Sequence, residues 1–169
     1  AYGSQVKKTT NSGINWINIS VPTSQSFYKV FAIDEQEVYF ASWNYLFKTT
    51  NGGVNYQQLA NYSQDISIYF LNSNTGFIVG ELYVGKTTNG GIDFVTKLSV
   101  TGMFFRNIKM VNQDTGNVVG NNQTANKLGV IYKTTNSGED WFQVYIEGTY
   151  LTGFHFPNGN TGYMVGLNG

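Results

Sequence analysis

The chain contains no cysteine, one histidine (His155), one arginine (Arg106) and two prolines among 169 residues. Without cysteine there are no disulfides, thiol nucleophiles or Cys/His zinc sites built from this chain. A lone arginine excludes any mechanism that needs a cluster of guanidinium groups. Charged residues make up 12%, about half the usual share. Ten basic and ten acidic residues cancel, so no basic excess is present to bind nucleic-acid phosphates. No apolar run approaches the roughly 20 residues of a membrane-spanning helix, and no signal peptide is present. Motifs for a Ser/His/Asp triad, a P-loop or an EF-hand are missing. Asn112-Gln113-Asp114-Thr115-Gly116 has too few carboxylates for calcium. No metal and no cofactor is expected. The chain opens at Ala1-Tyr2-Gly3 without Met and reads as a processed or excised piece. Its low charge and lack of cysteine fit a secreted, periplasmic or cell-surface protein of bacterial type.

What is present is an internal repeat, beside 16% aromatic residues and 20 glycines. Lys8-Thr9-Thr10-Asn11-Ser12-Gly13-Ile14-Asn15-Trp16 recurs as Lys48 to Tyr56, Lys86 to Phe94 and Lys133 to Trp141. Its first Thr stands at 9, 49, 87 and 134, spaced 40, 38 and 47 residues apart. That period matches one four-stranded propeller blade. A second segment, two short apolar runs around an Asn/Asp/Gly turn, recurs as Ile68 to Gly80, Ile108 to Gly120 and Phe154 to Gly166, with a divergent copy at Val30 to Ala41. It has the signature of a hairpin.

The expected fold is therefore all-β: one β-propeller domain over 1–169, built from four-stranded antiparallel blades, with four blade equivalents. Three blades are continuous, at 27–60, 66–99 and 104–146. The fourth is split, with two strands in 152–167 and two in 3–20. The ends would complete one blade, either closing a monomeric ring or joining a homodimer into a larger one. Closure removes sheet edges that invite aggregation.

The Lys-Thr-Thr-Asn unit resembles the Asp-box, or BNR repeat, Ser/Thr-x-Asp-x-Gly-x-Thr-Trp. The matching residues are Thr9, Asn11, Gly13 and Trp16; Thr49, Asn51, Gly53 and Tyr56; Thr87, Asn89, Gly91 and Phe94; and Thr134, Asn136, Gly138 and Trp141. Asn stands at the Asp position in all four copies. In physical terms the unit is a tight hairpin: Asn bonds nearby backbone N–H groups, Gly supplies a positive φ, and the aromatic packs back on the turn. These residues, and the repeated Lys8, Lys48, Lys86 and Lys133 as solvated strand ends, read as scaffold. The resemblance spans sialidases, xyloglucan-active glycosidases, sorting-receptor ectodomains and a photosystem assembly factor, so it implies a fold rather than one function. Sialidases of this family hold the substrate carboxylate with three Arg. Arg106 alone does not supply that geometry.

Variation on a repeating scaffold marks where function is expected. The loops that vary carry Trp43, Tyr45, Tyr62, Glu81, Tyr83, Arg106, Asn122 and Tyr150. Aromatic rings mixed with Asn and Gln suit protein or glycan recognition, with packing between blades as the alternative for the rings. The leading reading is a non-catalytic binding or scaffold module. A glycosidase using loop carboxylates (Glu81, Asp65, Glu147) and a propeller fragment that assembles into a larger ring are the alternatives. His155 lies among residues facing a neighbouring blade or the central channel and reads as structural.

Overall fold

The computed structural model describes residues 5–21, 25–61, 67–123, 128–148 and 150–167. Every element among them is a β-strand. An N-terminal hairpin pairs β1 (Val6–Lys8) with β2 (Ile17–Ile19). A first meander follows: β3 (Phe27–Ala32), β4 (Val38–Ser42), β5 (Tyr45–Thr49) and β6 (Gln57–Asn61), hydrogen-bonded in sequence order. Next comes one seven-stranded sheet of β7 (Ser67–Phe70), β8 (Gly76–Val79), β9 (Glu81–Thr87), β10 (Val95–Met110), β11 (Gly116–Asn122), β12 (Gly129–Thr134) and β13 (Phe142–Glu147). A C-terminal hairpin pairs β14 (Tyr150–His155) with β15 (Tyr163–Leu167).

The seven-stranded sheet is two meanders fused through β10, which runs for 16 residues. Its first part closes the second meander against β9, and its last part opens the third against β11. The expected loop at Met103-Phe104-Phe105-Arg106 is thus strand. Gly102, at φ +76°, bends the chain within it, and the pairing jumps from Ser99 to Phe104. A residue free to take a positive φ turns the strand without ending it.

Successive strand residues face opposite sides, so each meander feeds two cores. Tyr39 and Ala41 of β4 join Ile68, Phe70 and Ile78 between the first and second meanders. Phe40, between them in sequence, turns the other way to Val21 and Phe47 beside the N-terminal hairpin. Phe77 and Val79 meet Phe105, Ile108, Met110 and Trp141 between the second and third meanders. Val119 and Ile131 meet Leu151 of the C-terminal hairpin. Each fully buried Phe, Val or Ile contributes roughly 1.5–3 kcal/mol. Burial fades at the end of this row: β8 is buried throughout, while β15 is exposed throughout. Among the described residues the two end hairpins stand as separate two-stranded sheets.

Candidate functional site

The sheets have two ends with different chemistry. One end carries the four Thr-Thr-Asn turns, which are built alike. Thr134 Oγ1 donates to Asn136 Oδ1 at 3.0 Å and accepts the Gly138 N–H at 2.9 Å. Asn136 Oδ1 also accepts the Asp140 N–H at 3.0 Å. The same bonds recur around Thr9, Thr49 and Thr87. The matched glycines take positive φ, from +74° at Gly138 to +98° at Gly53. So do the residues before them, Ser12 at 57° and Ser137 at 59° included. Trp16 Nε1 donates to Gly13 O at 3.1 Å, and Trp141 is buried edge-on to Phe77.

The repeated lysines are not solvated strand ends. Lys86 is 8% exposed and reaches Glu139 Oε1 in the next turn at 2.6 Å. Lys8 Nζ donates to Gly52 O at 3.2 Å, and Lys133 Nζ to Gly159 O at 3.4 Å. Lys48 pairs with Glu37 of its own meander at 2.7 Å, and Glu37 accepts the Ser73 hydroxyl of the next at 2.6 Å. Each lysine or its partner thereby ties one hairpin or meander to the next.

The opposite end holds the residues that differ between repeats. The first strands of the meanders lie side by side, β3 beside β7, β7 beside β10 and β10 beside β14. Toward their Thr-Thr-Asn ends, level with the repeated lysines, neighbouring positions on these strands touch in series. Phe31 and Tyr69 have ring centroids 5.2 Å apart, Tyr69 Oη donates to Met110 O at 3.2 Å, and Lys109 Nζ lies 3.0 Å from His155 Nδ1. His155 does face a neighbouring sheet, as expected.

Three first strands carry a bulge near their start. The register against the second strand skips Tyr28, Arg106 and Thr152. A bulge kinks the strand and re-aims one side chain. Tyr28 is exposed and packs edge-on against Trp43, centroids 5.9 Å apart. Arg106 donates to Tyr150 Oη at 2.7 Å, and its guanidinium carbon lies 4.8 Å from the Phe104 ring and 5.9 Å from that of Tyr150. Thr152 is exposed and donates to Val165 O at 3.2 Å. The geometry repeats while the side chains do not: an aromatic, a cation and a hydroxyl.

The structure brings Arg106 and Tyr150 together from 44 residues apart. Glu81 pairs with Phe104 across β9 and β10, and Asn122 with Met103 across β11 and β10, so both adjoin the same strand. Trp43 sits at the tip of the β4–β5 hairpin, 39% exposed. Tyr45 instead packs edge-on to Phe47 in the core beside the N-terminal hairpin. Tyr83 packs into the core between the first and second meanders, where burial pushes its phenol up to about 12. Tyr62, Asp65 and the side chain of Glu147 lie outside the described residues. Tyr28 and Thr152 went unnoticed in sequence; the signal for them is a one-residue slip in the in–out alternation of each first strand. Among the described residues no group of three or more His, Asp or Glu could hold a metal ion, and no helix is long and apolar enough to cross a membrane.

No protein-family profile matches the chain. No curated protein matches it either. Solved structures do. YCF48 bound to D1 peptide is similar at 24% identity and TM-score 0.58, over 74% of this chain and 41% of that one. YCF48 from Cyanidioschyzon merolae is similar at 12% identity and TM-score 0.56, over 99% of this chain and 76% of that one. The GH74 enzyme of Niastella koreensis is similar at 16% identity and TM-score 0.70, over 82% of this chain and 25% of that one. The fold is an all-β propeller fold. The chain spans 41% of the peptide-bound YCF48 and 25% of the GH74 enzyme. At these identities the likeness concerns the fold alone.

Proposed function

We propose that this chain is a non-catalytic binding module that takes an extended protein segment along the bulged ends of its inner strands, and that its four Thr-Thr-Asn turns are Asp-box repeats serving as scaffold. The observation that carries the reading is the bulge series Tyr28, Arg106 and Thr152. A scaffold that repeats one backbone device while varying the side chain on it has the layout of a recognition surface. Arg106, framed by Phe104 and Tyr150, suits a carboxylate on the ligand. Tyr28 with Trp43 adds rigid amphipathic area, the type enriched at interfaces. That YCF48 has been solved with a D1 peptide bound supports peptide recognition on this fold.

Five of the described carboxylates are already engaged within the fold. Asp34 caps the Gln36 and Glu37 N–H groups, Asp114 accepts the Ser137 hydroxyl, Asp93 and Asp140 bond turn asparagines, and Glu139 holds two lysines. All of these support turns or bridges. Fluorescence anisotropy with labelled random decapeptide pools of acidic, neutral and basic composition tests the proposal. The acidic pool should bind, and Arg106→Ala or Tyr28→Ala should weaken it at least tenfold while melting stays cooperative. Absence of binding by every pool, or binding indifferent to both changes, would sink it.

A further inference from the structure

The outer edge of β15 is shaped for one particular partner. β15 pairs with β14 on one side and with no described strand on the other. Tyr163 and Val165 are 69% and 65% exposed. In all three meanders the second strand pairs with the third in one register: Val38↔Thr49, Gly76↔Thr87 and Gly116↔Thr134, then Tyr39↔Lys48, Phe77↔Lys86 and Asn117↔Lys133. Carried to the end hairpins, that register sets Gly162 against Thr9, Tyr163 against Lys8, Met164 against Lys7 and Val165 against Val6. β1, like β15, pairs on one side only.

A second observation lies in the neighbouring sheet. Tyr39 Oη donates to Gly90 O, in the turn of the following meander, at 3.2 Å. Phe77, at the equivalent place, packs against Trp141 and Gly138 of the turn that follows it. Asn117 is the third member of this series. It is 2% exposed, and its Nδ2 has no acceptor among the described residues. A buried amide donor left unpaired costs about 1–3 kcal/mol. The Ser12 carbonyl is the counterpart of the Gly90 carbonyl. A 9–16 turn set beside β15 brings it to Asn117. The same placement covers Trp16, which is 56% exposed while its counterpart Trp141 is 9% exposed.

We infer that the β1–β2 hairpin of a second copy adds to β15, completing a four-stranded sheet across the two chains. The chain's own hairpin is already seated on the first meander, through Val6, Val21 and the Lys8–Gly52 bond. Two copies joined twice in this way form a closed two-fold ring in which neither β1 nor β15 is left as an open edge. Its blade number stays within the usual range for propellers. This inference does not depend on the peptide-binding reading.

Because the chain has no cysteine, single Lys7→Cys and Met164→Cys variants test it directly. Directly opposed cross-strand residues are about 5 Å apart at Cβ, within reach of a short bis-maleimide. An equimolar mixture should give a cross-linked dimer that neither variant forms alone. Light scattering on the unmodified chain should give about twice 18.8 kDa. A mixture that yields no cross-link, a link formed only inside a single chain carrying both cysteines, or a one-chain mass across the micromolar range would each overturn the inference.

Discussion

Lys86 Nζ lies 2.6 Å from Glu139 Oε1, although the residues stand 53 apart and belong to different Thr-Thr-Asn turns. Lys97 Nζ meets the other oxygen of the same carboxylate at 2.6 Å. One acidic side chain thus gathers a cation from the turn before it and one from the strand that follows that turn. The second and third meanders are fastened at their outer end as well as through their core.

This arrangement sets a pH dependence. The two lysine hydrogen bonds hold the Glu139 carboxyl well below its usual 4.5, at about 2. A carboxylate whose pKa is lower folded than unfolded adds stability above its unfolded value, and loses it as pH falls through the folded one. The Glu139 contribution is therefore complete above about pH 4.5 and gone near pH 2. Half the side chain is exposed, so solvent keeps the effect under about 1 kcal/mol. Urea unfolding across this range should show a shallower acid loss for Glu139→Gln than for the parent chain. Parallel curves would contradict the assignment.

The turn hydroxyls should differ by burial. Thr134 is fully buried, so Thr134→Val strands the Gly138 N–H and should cost about 1–3 kcal/mol. Thr9 makes the same bonds in an exposed turn, where water replaces the hydroxyl, and Thr9→Val should cost under about 1 kcal/mol. Equal losses in denaturant midpoint would mean that burial does not set the worth of these bonds.

Glycine substitutions separate backbone strain from crowding. Gly13 and Gly138 both have positive φ, which costs a residue with a Cβ roughly 1–2 kcal/mol. A Cβ on Gly13 has only the Trp16 ring near it, at 3.9 Å, whereas one on Gly138 falls on the Phe77 ring. Gly138→Ala should lower the melting temperature well beyond Gly13→Ala. A reversed order would show that the Phe77 ring yields freely.

Asn121 clamps the C-terminal hairpin. It is fully buried; its Nδ2 donates to Leu151 O at 3.0 Å and its Oδ1 accepts the Leu151 N–H at 2.8 Å. Asn121→Ala leaves both backbone groups unpaired, at about 1–3 kcal/mol each. Amide exchange should quicken across β14 and β15 before it quickens in β8 or β11. Uniform acceleration would place the clamp's effect on the whole fold instead.

The repeating parts of the molecule were legible in sequence because their causes are local. A Thr-x-Asn-x-Gly turn encloses its own hydrogen bonds, and its period spaces the strands. Some turn detail was hidden: Ser12 and Ser137 take left-handed φ, although serine does not announce it. Interactions between repeats carry no local signal. Nothing near Lys86 points to Glu139, and nothing near Arg106 points to Tyr150. Tyr83 and Trp43 look alike as loop aromatics, yet one fills a core and the other sits at a hairpin tip. The strand through Met103 and Arg106 read as a loop because a glycine bend and a bulge interrupt its alternation, and its ladder pairing skips from Ser99 to Met103.

The shared strand β10 bears on how the molecule folds. In a linear array of repeats, each unit has its own intrinsic stability and a coupling to its neighbours, and weak coupling lets units melt one by one. Between the second and third meanders the coupling is a shared strand, so neither can be lost without stripping hydrogen bonds from the other. The pair should behave as one cooperative foldon, with fraying confined to the flanking hairpins and the first meander. Denaturation would then proceed inward from both ends and finish in a single step at the centre.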